Sequence, residues 1–85
     1  MSKSIFSDTY NLFRTRLVEA RKKKGLAQAD VAMRLGRPQS YVSKYERGER
    51  RLDIVEFLEV AKALGLEPYK ILKELEDHCA KNNIE

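Results

Sequence analysis

One segment of the sequence, residues 36–51 (GRPQSYVSKYERGERR), concentrates side chains that can form several hydrogen bonds at once. It combines a glutamine, two serines, a lysine and several arginines with two tyrosines and a single valine. Such groups suit a polyanion, because they offer both positive charge and directional donors and acceptors. The segment lies between two runs with helical apolar spacing, yet it is too polar for a core helix and too patterned for a linker.

The residue types that enzymes and metal sites need are scarce. His78 and Cys79 are the only members of their types, and adjacent helical residues point about 100° apart, so they make a poor nucleophile–base pair. Two potential ligands cannot build a zinc site alone, and no glycine-rich phosphate loop is present. Glu74, Glu76 and Asp77 are interpreted as a solvated helix face. We therefore expect no enzyme activity, metal, cofactor or small-molecule ligand.

Length and charge limit the remaining possibilities. The 85 residues are enough for one domain over 1–85, and a domain this small is only marginally stable unless a partner subunit supports it. Residues 1–51 carry 13 Lys and Arg against 5 Asp and Glu, a net +8, whereas residues 52–85 carry 4 against 8, a net −4. The basic half favours a polyanion partner such as nucleic acid. The alternative is an ordinary solvated surface.

The cellular location is predicted from what the sequence lacks. Its single cysteine cannot form an intrachain disulfide. Its apolar runs fall short of the roughly 18 residues of a membrane span, and its first ten residues lack the apolar region of a signal peptide. We therefore expect a cytoplasmic protein without membrane contacts.

Glycine and proline divide the chain into five predicted helices. Each glycine follows a run with helical apolar spacing, where helices end in a left-handed residue, and each proline precedes such a run. These residues are Gly25, Gly36, Gly48, Gly65, Pro38 and Pro68. The predicted helices cover about residues 8–24, 28–35 and 39–47, with two more starting at 53 and 68 and a frayed tail at about 80–85. Because alternating strand patterns are missing, the predicted fold class is all-α.

Apolar spacing also predicts the buried face of each helix. In chain order these faces are Phe6, Tyr10, Phe13, Leu17 and Ala20; Val31, Ala32 and Leu35; Val42 and Tyr45; Ile54, Phe57, Leu58, Ala61 and Leu64; and Ile71, Leu72, Leu75 and Cys79. Asp53 and Glu56 form a capping-box pattern at the start of the fourth helix. The second and third helices are short and joined by Gly-Arg-Pro, which is the helix-turn-helix pattern over residues 28–47.

Residues 25–68 resemble the helix-turn-helix domain of the phage repressor and Cro (Cro/C1-type) family, also called the xenobiotic-response-element (XRE) family. The most specific elements are GLAQADVAMRLG, SYVSKYERG and AKALGLEP. This motif core covers about half of the chain, and the two outer helices fit the family's five-helix layout. The resemblance implies a lambda-repressor-like fold with a central helix-turn-helix, and sequence-specific binding to double-stranded DNA.

The resemblance assigns base reading to the third helix, whose N-terminal residues meet base edges in the major groove. The exposed positions would be Gln39, Ser40, Ser43 and Lys44. A glutamine can pair in bidentate fashion with adenine N6 and N7, and a lysine can donate to guanine O6 and N7. The alternative for Gln39 and Ser40 is capping of the helix start.

A second set of residues would contact DNA phosphates, which position the protein and set the salt dependence. The candidates are Gln28, Arg37, Tyr41, Arg47, Arg50 and Arg51. Tyr41 is expected to face outward because the adjacent Val42 faces the core; the alternative is a ring that lies on neighbouring side-chain stems. The run Lys22-Lys23-Lys24 is a further candidate, or else a solvated helix end that complements the helix dipole.

Arg21 and Glu46 lie where family members often form a partly buried ion pair between the first and third helices. Two positions depart from the family pattern. Ala27 stands where the family usually has a Ser or Thr N-cap, a loss of about 1 kcal/mol. Arg51-Leu52 replaces the usual Asn-Pro after the third helix, so the resemblance does not fix the path of that loop.

These features together predict a transcriptional regulator, specifically a repressor that occludes a promoter. A monomer would contact too little DNA for high specificity, so we expect a homodimer on a near-palindromic operator, with recognition helices about 34 Å apart. The interface candidates are Ile71, Leu72 and Leu75 on the fifth helix, and the alternative there is intramolecular packing alone. The alternative function is an antitoxin or adaptor whose main partner is another protein, such as a toxin.

Overall fold

The computed structural model of the protein describes residues 2–81, with side chains from residue 8 onward. Its helices are α1 (Ser2–Lys23), α2 (Gln28–Leu35), α3 (Gln39–Glu46), α4 (Ile54–Leu64) and α5 (Pro68–Lys81). The all-α prediction is confirmed, since residues 2–81 contain these five helices and no strand. No helix in this range is both long and apolar enough to cross a membrane.

Two helix boundaries differ from the prediction. Helix α1 begins at Ser2, six residues before the predicted start. Helix α5 still includes residues 80 and 81, where fraying was expected, and the rest of that tail lies outside the described residues. The predicted core residue Phe6 lies outside the described side chains.

Local signals explain where the central helices begin and end. Gly36 ends α2 with φ = 68°, and a Cβ at this position would meet nothing within 4 Å. The glycine is therefore required by the left-handed backbone and not by lack of space. At the start of α4, Asp53 Oδ1 accepts from Glu56 N at 2.7 Å and Glu56 Oε1 accepts from Asp53 N at 3.0 Å, which confirms the predicted capping box.

The start of α2 has only half of such a box. Ala27 occupies the N-cap position and, having no polar side chain, accepts no capping hydrogen bond. Its own backbone N–H donates to Asp30 Oδ2 at 2.8 Å, so the reciprocal contact survives. The missing contact is the one that a Ser or Thr hydroxyl would make to the backbone of the third helical residue.

The core draws side chains from all five helices. Its buried apolar residues are Phe13, Leu17, Val31, Ala32, Tyr41, Val42, Tyr45, Phe57, Val60, Ala61, Leu64 and Ile71. On α4 the prediction is partly wrong, because Ile54 is 58% exposed and Leu58 is 47% exposed, whereas Val60 is fully buried. Helix α4 carries apolar residues around most of its circumference, so spacing alone does not select the face that packs inward.

Helix α1 supports the end of α3 and the loop that follows it. Arg14 Nη1 donates to the Glu46 carbonyl oxygen at 2.8 Å, which satisfies a backbone acceptor in the last turn of α3. Tyr10 Oη accepts from the backbone N–H of Leu52 at 3.2 Å. These contacts tie the α3–α4 loop to α1 and thereby fix the orientation of the polar segment.

Candidate nucleic-acid interface

The four residues predicted to read bases lie together on the outer face of α3. Gln39, Ser40 and Lys44 are exposed, and Ser43 is partly exposed. Their spacing of i, i+1, i+4 and i+5 places them on one side of a helix. Val42 and Tyr45, which are 0% and 1% exposed, anchor the opposite side in the core, so the polar face is held outward.

Gln39 does not cap the start of α3. Pro38 holds the N-cap position, and α3 has no side-chain capping hydrogen bond. Instead, Gln39 Nε2 donates to Gln28 Oε1 at 3.4 Å, and Gln28 Nε2 donates to Glu46 Oε1 at 2.9 Å. The two glutamines therefore connect the start of α2 with both ends of α3 and leave Gln39 exposed at the outer surface.

The expected ion pair between α1 and α3 is present and shielded. Arg21 Nε donates to Glu46 Oε2 at 2.7 Å and Arg21 Nη2 donates to Glu46 Oε1 at 3.1 Å. The side chains are only 12% and 6% exposed, and the hydrogen bond to Glu46 is the main cause that raises the pKa of Arg21. A third donor, Arg21 Nη1, bonds the carbonyl oxygen of Leu26 at 2.9 Å, so the guanidinium also secures the α1–α2 turn.

Two arginines of the α3–α4 region already have carboxylate partners. Arg47 makes two hydrogen bonds of 3.0 Å to Glu49 and a further, short one to Ser43 Oγ. Arg50 pairs in bidentate fashion with Glu56 at 3.0 and 2.7 Å. Arg47 lowers the pKa of Glu49, and Arg50 is the main cause that lowers the pKa of Glu56 to about 2. A phosphate would therefore have to share these guanidinium groups with a carboxylate or displace it.

Tyr41 corrects one expectation about this surface. The side chain was expected to face outward, but it is only 8% exposed and packs edge to face against Tyr45, with ring centroids 5.7 Å apart. Burial is the main cause that raises its pKa. The buried face of α3 is wider than the Val42–Tyr45 stripe, since Glu46 is buried as well. The ring is covered by Arg37 and Arg50, which matches the alternative of a ring against neighbouring stems.

The remaining phosphate candidates lie around α3. Arg37 is in the α2–α3 turn, and its closest carboxylate contact is Glu59 at 3.9 Å. Arg51 is exposed, with its guanidinium carbon 4.3 Å from the ring centre of Tyr10. Lys22 and Lys23 end α1 and Lys24 follows it; all three are exposed, which fits either a phosphate contact or a favourable interaction with the helix dipole.

Sequence reasoning missed the contacts that fix the α3–α4 loop. Arg50 bridges the loop to Glu56 of α4, and Tyr10 of α1 accepts a hydrogen bond from the loop backbone. The capping-box pattern identified Glu56 but gave no sign of its second partner six residues earlier. Arg14, which supports the end of α3, left no signal in the sequence because its partner is a backbone carbonyl 32 residues away.

The three interface candidates on α5 do not share one environment. Ile71 is 7% exposed and belongs to the core, so its expected place at an interface is wrong. Leu72 is 38% exposed, and Leu75 is partly buried. Both line an apolar groove of about 410 Å³ between α1, α4 and α5, whose other members include Phe13, Leu52, Ile54 and Phe57.

His78 also has a structural partner. His78 Nδ1 lies 3.0 Å from Thr9 Oγ1 and is hydrogen-bonded to it across the α1–α5 interface. The sulfur of Cys79 lies 3.9 Å from the same hydroxyl oxygen. Both residues therefore join α5 to α1 through Thr9.

A helix-turn-helix family model matches residues 17–71. An uncharacterised HTH-type transcriptional regulator, y4dJ of Sinorhizobium fredii, is 37% identical over 59 residues, which cover 69% of this chain and 77% of that protein. An XRE-family-like protein from Pseudomonas syringae pv. tomato superimposes with a TM-score of 0.84 at 45% identity, covering 88% of this chain and 92% of the other.

The restriction-modification controller protein C.AhdI from Aeromonas hydrophila superimposes with a TM-score of 0.68 at 40% identity, covering 76% of this chain and 97% of the other. The segment matched by the helix-turn-helix family model, residues 17–71, contains all of α2, α3 and α4, and thus the whole candidate interface. The family that this model describes consists of DNA-binding transcriptional regulators and not of enzymes. The chain belongs to the XRE family of helix-turn-helix DNA-binding transcriptional regulators.

Proposed function

We propose that this protein reads a specific sequence in double-stranded DNA by placing the outer face of α3 in the major groove. The observation that carries this proposal is the contiguous polar face of Gln39, Ser40, Ser43 and Lys44 on a helix whose other side is fully packed. A short helix held this firmly can present its side chains to base edges without first becoming ordered.

The proposed phosphate contacts surround that face. They are Gln28 at the start of α2, Arg37 in the α2–α3 turn, and Arg47, Arg50 and Arg51 after α3. Tyr41 is left out because its ring is buried. Contacts of this kind bind any DNA and give an affinity that falls as salt concentration rises.

The apolar surface on α4 and α5 supports a homodimer. Ile54, Val55 and Leu58 on α4 and Leu72 on α5 are between 38% and 61% exposed, and Ile54 and Leu72 line the groove described above. Exposed apolar residues that cluster in this way favour an interface over free solvent. We propose that two copies pair through this surface and bind a near-palindromic operator, with their α3 helices about 34 Å apart.

Repression is the mechanism we propose, because a dimer that covers two half-sites would occlude an overlapping promoter. A reporter gene with the operator placed inside its promoter tests this step. Expression should fall when the protein is supplied, whereas a rise would identify an activator.

Selection of binding sequences from a random double-stranded DNA pool tests the proposed function. Enrichment of a palindrome would support a sequence-specific dimer, and its half-site spacing would report the separation of the two α3 helices. Enrichment of a single half-site would contradict the dimer alone. If only salt-sensitive background binding were found, the DNA-reading proposal would fail, and a protein partner would become the better hypothesis.

A further inference from the structure

Two arginines from two different loops meet a single aromatic ring. The guanidinium carbon of Arg37, in the α2–α3 turn, lies 4.5 Å from the ring centre of Tyr41. That of Arg50, in the α3–α4 loop, lies 4.8 Å from the same centre. Both distances are within the roughly 6 Å over which a cation and an aromatic face attract each other. Tyr41 thus joins the loops that flank α3 on either side in the chain.

The ring is fixed in place by the core. Tyr41 is 8% exposed and makes an edge-to-face contact with Tyr45, which is itself 1% exposed. The interplanar angle of 79° is the arrangement that aromatic pairs favour. Because Tyr41 cannot swing outward without disturbing Tyr45, its face is a rigid support for the two guanidinium groups.

Two like charges at one ring repel each other, and nearby anions offset that repulsion. Glu56 supplies one anion to Arg50 at 2.7 Å, and Glu59 supplies a more distant one to Arg37 at 3.9 Å. Both carboxylates belong to α4. The two arginine side chains nevertheless remain 38% exposed, so each keeps a solvent-facing surface.

The cluster borders the face of α3 that we propose to read bases. Tyr41 lies three residues before Lys44, which places it about 60° around the helix from that side chain. A helix seated in a groove has phosphates along its flanks, so arginines beside this face are placed to meet them.

We propose that Tyr41 is a positioning residue, which holds Arg37 and Arg50 in the geometry that meets DNA phosphates beside α3. This inference rests on the proposed DNA-binding function. Long arginine side chains lose conformational freedom when they bind a phosphate, and arginines that are already ordered lose less. The aromatic face of Tyr41, and not its hydroxyl group, holds the two arginines in place.

The test compares Tyr41→Phe, which keeps the face, with Tyr41→Leu, which removes it. Binding to a fluorescent random-sequence duplex is measured by anisotropy over a range of salt concentrations. We expect Tyr41→Phe to bind like the wild type and Tyr41→Leu to bind about tenfold more weakly, the order expected for losing two cation–π contacts. Tyr69→Leu is the control, because Tyr69 is 81% exposed on α5.

A second comparison separates positioning from packing. Tyr41→Leu is introduced into a variant that already carries Arg37→Met and Arg50→Met, where we expect no further loss of affinity. All measurements are made where circular dichroism shows each variant to be folded, and Tyr41→Met, with its larger side chain, replaces Tyr41→Leu if the latter unfolds.

Two results would overturn the inference. A loss in Tyr41→Phe as large as in Tyr41→Leu would mean that the hydroxyl contacts DNA directly. An equal loss with and without the two arginines would mean that Tyr41 acts only through packing. If the wild type bound no DNA at all, the proposed function itself would fail, and the positioning role with it.

Discussion

At the scale of single residues, the shielded network around Glu46 determines how α3 is held. Glu46 is 7% exposed and accepts hydrogen bonds from Arg21, which also binds the α1–α2 turn, and from Gln28. Removing one partner of such a pair leaves the other charge without compensation in a poorly solvated place, which costs far more than the intact pair contributes. The network therefore stabilises one arrangement of α1, α2 and α3.

We predict that Glu46→Ala lowers the free energy of unfolding by roughly 3–5 kcal/mol. Urea unfolding followed by circular dichroism measures the change. Glu49→Ala is the matched control, because the Arg47–Glu49 pair has similar geometry but both side chains are more than half exposed. Equal shifts in the two variants would show that burial of the Glu46 pair contributes nothing.

Some of these residue-scale contacts were predictable from the sequence, and others were not. The Arg21–Glu46 pair and the outer positions of α3 follow from the family resemblance together with helical spacing. The burial of Tyr41 does not, because the width of the buried face of α3 depends on tertiary packing, chiefly against α2 and α1, and not on spacing along the chain. The partners of Arg50 also lie on separate elements, and no periodic signal connects them.

At the scale of elements, glycines and caps explain why the helix boundaries of α2 and α3 were predictable within one residue. These signals are local in sequence, so they survive without knowledge of the tertiary structure. The inward face of α4 is a tertiary property, and the sequence indicated Ile54 and Leu58 where the structure buries Val60. At the start of α2 one such signal is missing, because Ala27 has no side chain that can cap the helix.

We predict that Ala27→Ser stabilises the protein by about 1 kcal/mol, because a serine hydroxyl can accept the hydrogen bond that the N-cap of α2 lacks. The thermal unfolding midpoint should rise. Ala29→Ser, inside the same helix, introduces the same group without a cap and should not raise the midpoint. A rise in both variants, or in neither, would contradict the capping argument.

The start of α4 depends on a carboxylate whose pKa is depressed. Arg50 and the Asp53 backbone lower the pKa of Glu56 from the ordinary 4.5 to about 2. The stabilisation from the charged form is therefore complete above about pH 4.5 and is lost as the pH falls toward 2.

We predict that the difference in unfolding free energy between wild type and Glu56→Gln shrinks as the pH falls from about 4.5 to about 2. Urea midpoints measured across this range test the sign. Glu67→Gln, at an exposed carboxylate before α5, controls for the loss of one charge. A difference that stays constant with pH would show that Glu56 acts through shape and not through charge.

At the scale of the whole molecule, polar and apolar surfaces have separate places. The outer face of α3 is polar, whereas α4 and α5 expose Ile54, Val55, Leu58 and Leu72, of which Ile54 and Leu72 line the groove. The sequence predicted the interface on α5, but the structure places Ile71 in the core. Three of the four exposed apolar residues just named belong to α4. Two copies that pair there would leave both α3 helices free for DNA.

We predict that Leu58→Glu dissociates the proposed dimer, because it would place a charge without a partner in an apolar interface. Sedimentation velocity should change from dimer to monomer while the circular dichroism spectrum is retained. Met33→Glu is the control, since Met33 is 81% exposed on α2 and belongs to neither α4 nor α5. Loss of the dimer in both variants, or in neither, would place the interface elsewhere.

The central claim is that the outer face of α3 reads bases, and Gln39 gives the most direct measurement. Wild type and Gln39→Ala are titrated against a selected operator, its single-base variants and random DNA at one salt concentration. We predict that Gln39→Ala loses about 1–3 kcal/mol on the operator and becomes indifferent to one base pair in each half-site, with little change on random DNA. An equal loss on operator and random DNA would contradict base reading by α3.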